Sequence, residues 1–503
     1  MKRFLNLSVV LLVFLVFSCS SSKSENDSDI LPDSDADVQD SETVDDDSDS
    51  QTYEIVDDSD EVPDENSDSD TEETVPDDAE PSEPAEEIFE ETEPINGYAR
   101  CYDKIPAGDY DGLFADPRIE SQIKQSLGYD EDYELAEEDL EKVKEITLSV
   151  KDIRGVEKLV NLKSVKISTG KIYDYTPLSE LKKLKKVVIN ASSMTCLDGS
   201  FSLLTNLETL EIRETKLKDV SPVEQLVNLT SLDLLENQIK FLPENISNLQ
   251  QLEFLAFSHN NVQDINPLKS LTNLKKLFFH YNYVEDISPV KDLVNLTSLG
   301  GSFNKIKDLS PVTNLVNLTF YLEFHQNQIK EIPKDIINLK KLQELDLTYN
   351  EISNLPELKG LDSIVTVRLS YNDLKNDDFI KLNELETVRF LDVAFNKITN
   401  VPVMKNLKSL KELYLNYNSI TDLSGFADNE SFPALKSVYL GSNKISDAEA
   451  LRERKGLNRL SIGKNCIQDL SPLEELNERG TYVSGMNDQL ENCEDTTTLG
   501  DGE

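Results

Sequence analysis

The chain has 503 residues, with 96 Asp and Glu against 50 Lys and Arg, three His, five Cys and no Trp. A formal charge of −46 excludes nucleic-acid binding by phosphate neutralisation, which needs a basic surface. The charge is uneven: residues 24–97 carry 32 of the acidic side chains and no Lys or Arg, and the remainder is only mildly acidic.

At the start, Lys2 and Arg3 precede an apolar run from Phe4 to Phe17, broken only by Asn6 and Ser8. The run is too short to span a bilayer as a helix and has the charge-then-apolar order of an export signal, so residues 1–18 read as a signal peptide. It ends Val16-Phe17-Ser18-Cys19-Ser20, which resembles a bacterial lipoprotein junction. The resemblance implies that Cys19 becomes the lipidated first residue, carrying palmitate-like chains. Ser rather than Asp after the Cys implies the outer membrane of a two-membrane bacterium. Several acyl chains on one residue supply the multiple signals that stable anchoring requires.

Residues 19–97 follow as Asp, Glu, Ser, Thr and Pro, with repeats such as Ser67-Asp68-Ser69-Asp70. So few apolar groups cannot offset the entropy of ordering, and the like charges repel, so a disordered acidic tether is expected. The alternating Asp residues leave weak divalent binding as an alternative to a plain spacer, but no Asp-x-Asp-x-Asp-Gly-x5-Glu loop is present.

Residues 98–142 read as an N-terminal cap. Asp116-Pro117-Arg118-Ile119, Ile123 and Leu127-Gly128 have helical spacing and a glycine stop, and Glu137–Val143 predicts a further helical turn. From Val143 to residue 478 the chain is self-similar. One unit reads Leu229-x-x-Leu232-x-Leu234-x-x-Asn237-x-Ile239, and the next Leu252-x-x-Leu255-x-Phe257-x-x-Asn260-x-Val262. Fifteen units begin at 143, 162, 184, 207, 229, 252, 274, 296, 319, 342, 364, 388, 410, 435 and 457, mostly 22 or 23 residues apart.

This pattern resembles the leucine-rich repeat family. Second halves such as Asp286–Val290 and Asp308–Val312 resemble its bacterial internalin-like subclass, while Leu242-Pro243 and Ile332-Pro333 follow a longer variant. The implied fold is an α/β repeat solenoid, curved, with a parallel sheet on the concave face and a helical cap. Leu-x-x-Leu-x-Leu sends alternate strand side chains into one interior and the others outward. A ladder of buried asparagines is expected at the ninth position: Asn237, Asn260, Asn282, Asn304, Asn327, Asn350, Asn372, Asn396, Asn418, Asn443 and Asn465. The first four units carry Lys151, Gly170, Ser192 and Thr215 there, which predicts a less regular start. Residues 479–503 are expected to form a C-terminal cap and tail, with Thr481–Val483 as a covering strand.

Beyond Cys19, four Cys remain and allow three pairings. Proximity favours Cys466–Cys493 as an end clasp, which leaves Cys101 with Cys196. No Cys-x-x-Cys, His-Glu-x-x-His, Gly-x-Ser-x-Gly, Gly-x-Gly-x-x-Gly or Walker loop is present, and no enzyme activity, cofactor or metal is expected. Gly300-Gly301 interrupts one strand, with Gly301 at a core position that reads as a locally narrowed core.

His259, His280 and His325 fall near outward strand positions, open to readings as a metal pair, a ligand-contacting surface or plain polar surface. Tyr281, Phe303, Tyr349, Tyr371, Phe395 and Tyr417 each precede a ladder Asn and suit packing. Phe254, Phe278, Tyr321, Phe390, Tyr414 and Tyr439 should stand on the outward strand face, either as recognition groups or stacked on one another. With His280, His325 and Arg368 they form the candidate partner-binding set. The expected function is a lipid-anchored surface or envelope protein whose solenoid binds a protein partner without catalysis. An envelope glycan-binding or structural role is the alternative.

Overall fold

The computed structural model describes residues 89–91, 94–98, 101, 104–106, 109–168, 172–190, 194–491 and 493. The signal segment 1–18, Cys19 and the tract to residue 88 lie outside the described residues, as do Gly170 and Ser192.

Ahead of the array, β1 (Phe89–Glu91) pairs antiparallel with β2 (Lys104–Pro106). Between them Ile95 and Tyr98 exchange two 2.9 Å backbone hydrogen bonds around Asn96 and Gly97, whose φ values are 57° and 83°. Asn-Gly is the pair that accepts positive φ at both turn centres. The hairpin thus begins inside the stretch read as tether. Tyr98 donates from its hydroxyl to Glu224 at 2.6 Å and accepts from the Gln225 amide at 3.0 Å. Cys101 is disulfide-bonded to Cys196, with Cα atoms 5.5 Å apart. The entering chain is therefore fastened to the third and fourth repeats.

Helix α1 (Arg118–Leu127) buries Ile119 and Ile123 and stops at Gly128 in the left-handed region, where the Gly128 and Tyr129 amides turn back to Gln125 and Lys124 carbonyls. It packs on the strand Glu145–Leu148 and so covers one edge of the sheet. A short turn of helix, α2 (Glu137–Leu140), follows, with Asp139 buried beneath it. Its carboxylate accepts from Lys142, the Ala136 amide and the Tyr129 and Tyr133 hydroxyls, which hold it well below the usual carboxylate range.

Sixteen parallel strands then run in chain order from Glu145–Leu148 to Tyr482–Ser484 in one curved, unclosed sheet. The first fifteen correspond to the fifteen repeat units, and the sixteenth is the covering strand. Fourth-position residues stay in register across the sheet, as in Leu255, Leu277, Leu299, Leu322 and Leu345. At about 4.8 Å per strand the sheet extends roughly 70 Å. The first four strands are four or five residues long and the later ones three, so the array does start differently. This is a leucine-rich repeat solenoid. First, fourth and sixth positions, such as Leu252, Leu255 and Phe257, are buried in nearly every unit; the unit at 319 differs, with Leu318 buried in place of the half-exposed Thr319.

The return side is made mostly of short 3₁₀ turns, with α-helical segments at Thr176–Ser179, Asn376–Phe379 and Ser471–Glu478, and the Asp-Leu/Ile-Ser-Pro spelling explains many of the 3₁₀ turns. Asp286, Asp308 and Asp422 each accept from the amide two residues on, at 2.7–2.8 Å, which opens the turn, and Pro289 or Pro311 sits in its first residues with no N–H to lose. These turns are wider than a strand, so the sheet takes the inner side of the curve.

The ladder asparagines share one hydrogen-bond scheme. Asn260 donates to the Leu234 carbonyl of the preceding repeat (2.9 Å) and the Phe257 carbonyl of its own (3.0 Å), and accepts from the Ile239 amide (2.9 Å). Asn282 to Asn465 repeat the scheme, and Asn237 accepts from Thr215 and the Leu217 amide. At the far end Gln489 takes over: its side-chain amide donates to the Ile462 carbonyl (3.1 Å) and accepts from the Ile467 amide (3.5 Å). Cys493 is bonded to Cys466 beside it, Cα atoms 5.4 Å apart.

Candidate functional site

The outward side chains of the strands form straight rows across the concave face. The fifth-position row reads Phe278, Gly300, Glu323, Asp346, Arg368, Asp392, Tyr414 and Tyr439 through successive registers. Beside it, the third position contributes Phe254, Lys276, Tyr321, Glu344, Phe390 and Glu412. Phe254, Phe278, Tyr321, Phe390, Tyr414 and Tyr439 are all half-buried. They form two groups rather than one line. Phe254 and Phe278 lie 6.2 Å apart, while Phe390, Tyr414 and Tyr439 succeed one another at 5.1 and 4.2 Å. Tyr321 stands between the groups, 6.3 Å from Phe320.

The polar residues between the rings are closely interdependent. Arg368 is ion-paired with Glu344 and lies 5.1 Å from the centre of the Phe390 ring. His280 stacks on Phe278 at 5.9 Å, and its Nδ1 accepts from the Ser302 amide at 3.2 Å. Its Nε2 reaches to 3.8 Å from Glu323, two repeats away. It can do so because the intervening position is Gly300: a Cβ there would lie 2.4 Å from His280 Nε2. Burial, reinforced by His325 and His259, pushes the His280 pKa down to about 3. Burial, reinforced by Asp346 and Glu344, pushes Glu323 up to about 7. Burial also lowers His325 and raises Asp392.

His259 does not join His280. It precedes a ladder Asn and stacks on Tyr281 at 4.0 Å, which in turn stacks on Phe303 at 3.8 Å. A second stack, Tyr349, Tyr371, Phe395 and Tyr417, runs at 3.7–4.0 Å and is separated from the first by Gln326. Every one of these residues has φ between 52° and 56°. Among the described residues no group of three or more metal-ligating side chains occurs.

Sequence reasoning passed over a second asparagine row. Asn161, Asn206, Asn228, Asn273, Asn295 and Asn317 each precede a buried Leu at the start of a strand segment and donate to a carbonyl 20–24 residues back, of the cap for Asn161 and of the preceding repeat for the others, at 2.7–3.3 Å. Their recurrence just before that Leu is the signal that would have revealed them. Gln489 has no such signal, since it arrives from the irregular tail. Gly301 sits at a core position against the buried rings of Phe279 and Phe324, whereas Gly300 acts on the opposite face, where its missing side chain makes room for His280.

Comparison with known proteins agrees with this architecture. Residues 250–293, 386–428 and 408–453 match the family description "Leucine Rich repeats (2 copies)", and residues 338–355 match "Leucine Rich repeat". The fold is similar to an internalin from Listeria monocytogenes (26% identity, TM-score 0.54, covering 74% of this chain and 95% of that one). It is also similar to a leucine-rich repeat protein of Leptospira interrogans (24% identity, TM-score 0.60, covering 69% and 97%). Among curated proteins, Toll-like receptor 6 of Dasypus novemcinctus is 36% identical over 62 residues, which is 12% of this chain and 8% of that receptor. The chain thus spans a small fraction of the curated relatives it matches.

Proposed function

We propose that the solenoid is a non-catalytic recognition module that binds a protein partner across the centre of its concave face. The observation that carries this is the pair of half-buried aromatic groups, Phe254/Phe278 and Phe390/Tyr414/Tyr439, set on an otherwise polar sheet. Rings at this exposure have apolar area left to bury, and aromatic and Arg side chains dominate the energy of protein interfaces. We further infer from the first twenty residues that the chain is exported and held by lipid on Cys19, at the outer membrane of a two-membrane bacterium, with the acidic tract ahead of the hairpin, residues 20–88, as spacer.

The test is a pull-down of surface proteins followed by affinity measurements on variants. Phe278→Ala, Tyr321→Ala and Tyr414→Ala should each weaken binding by about 1–3 kcal/mol with little change in melting. Leu345→Ala, in the core, should cost about 2–5 kcal/mol of stability and lower binding only through unfolding. Full affinity in all three aromatic variants would remove the site from the concave face. For the anchor, Cys19→Ala should move the protein out of the membrane fraction, and equal partition of both forms would discard it.

A further inference from the structure

The acids on this face fall into two kinds. Towards the N-terminus Glu211 is matched by Lys186 at 2.7 Å and Arg213 at 3.1 Å, and Asp233 by Arg213 at 2.7 Å. At the centre Glu344 is matched by Arg368. Glu323, Asp346 and Asp392 are different: among the described residues none has a Lys or Arg nitrogen within 4.0 Å. All three are half-buried, in one row of the sheet. Arg368 stands in that row between Asp346 and Asp392, yet its guanidinium is drawn sideways to Glu344 and over Phe390. The cation near Glu323 is missing too, since burial keeps His280 neutral.

From the centre of the face onward, paired acids therefore give way to half-buried acids with no basic partner within 4.0 Å among the described residues, Glu412 beside Tyr414 included, and the aromatic groups stand in and beside that stretch. We propose that the partner docks a basic segment here, placing a Lys or Arg side chain against Glu323, Asp346 and Asp392 and apolar neighbours against Phe278 and Tyr414. This rests on the concave-face reading above and adds the partner's charge to it. Carboxyl groups partly withdrawn from water attract a cation more strongly than exposed ones do, because the field around them is less screened, and a cation arriving beside Glu323, whose pKa burial pushes up to about 7, favours its ionised form. The rings on either side add apolar area and quadrupole attraction for the same cation. The Arg368 guanidinium over Phe390 shows within the chain the kind of contact a partner's Arg would make.

The experiment uses the full chain, immobilised, and a phage-displayed library of random 12-residue peptides. The selected pool should be enriched in Lys and Arg over the starting library. Its binders should lose at least tenfold in affinity for the combined variant Glu323→Gln, Asp346→Asn, Asp392→Asn, whose melting is checked against the parent. A pool with no basic enrichment, or binders indifferent to the three amide changes, would overturn the proposal. Binders that need Phe390 and Tyr414 but ignore the charge changes would preserve concave-face recognition while removing its charge requirement. Displacement of bound peptide by spermidine alone, with no preference among peptides, would assign the site to a small polycation and overturn it as well.

Discussion

His280 Nε2 and Glu323 Oε2 stand 3.8 Å apart and do not form an ion pair. Burial drives the imidazole down to about 3 and the carboxyl up to about 7, so between those values both are uncharged. The contact exists only because Gly300 leaves room between them.

Their effects on stability oppose each other. The raised Glu323 pKa contributes stability that is present below about 4.5 and lost as pH rises through about 7. The depressed His280 pKa works the other way: the folded state binds fewer protons than the unfolded between about 3 and 6.5, so stability is lost as pH falls. Over the shared window the two nearly cancel. Glu323→Gln should therefore lose stability on acidification below pH 6.5 more steeply than the parent, and His280→Gln should lose it as pH rises from 4.5 to 7. Each slope is bounded by one proton, about 1.4 kcal/mol per pH unit. Urea midpoints at four pH values decide it, and parallel profiles for all three proteins would refute the pairing.

Asn350 donates to the Phe324 and Leu347 carbonyls and accepts from the Ile329 amide, at 2.9–3.0 Å. Asn350→Leu should destabilise by about 1–3 kcal/mol, because the backbone groups it leaves have no strand partner. An unchanged denaturant midpoint would mean that water replaces the amide freely.

The residue before each ladder Asn is left-handed whatever its type. In Lys464 that conformation, φ 56°, has no ring stack to offset a cost of about 1–2 kcal/mol. Lys464→Gly should accordingly be neutral or stabilising by up to about 1 kcal/mol. Tyr371, at φ 54°, is held between Tyr349 and Phe395 at 3.7 and 3.8 Å. Tyr371→Gly should be clearly destabilising, by about 1–3 kcal/mol. Thermal melts that rank the two variants in the opposite order would show that the stacks contribute little.

A Cβ on Gly301 would lie 2.7 Å from the Phe279 ring and 2.8 Å from Phe324, both buried. Gly301→Ala should cost about 1–3 kcal/mol by overpacking. Gly300→Ala should cost less, because the imidazole of His280 can swing away into the concave space, though the Ser302 amide then loses its acceptor. Equal losses for the two alanines would place His280 among the rigid elements of the fold.

The repeat was legible because it is written fifteen times at nearly constant phase. Leu252, Leu255 and Phe257 give the inward alternation, and Asn260 marks the turn wherever it recurs. The Asn96-Gly97 hairpin was equally legible, but the acidic composition around it outweighed the dipeptide. The centre of the concave face was legible only as a set of rings. Which acids lack a cation depends on where Arg368 points, and no spacing encodes a choice between Glu344 and Asp392. The His280–Glu323 approach spans two repeats across a missing side chain, a relation with no local signature. Gln489 likewise reaches its place through an irregular tail, so the ladder's end was invisible.

The disulfide between Cys101 and Cys196 also sets where mechanical load enters the array. A pull on the chain ahead of Cys101 passes through the sulfurs directly into the third repeat. The segment between the two cysteines, with the cap helix and the first two repeats, lies off the load path. With a sequence separation of 95 and up to about 3.6 Å per residue, that loop stores roughly 340 Å of chain that tension cannot draw out while the bond is intact. Force on the chain ahead of Cys101 therefore tests the third repeat and those beyond it first and leaves the cap helix and the first two repeats unloaded.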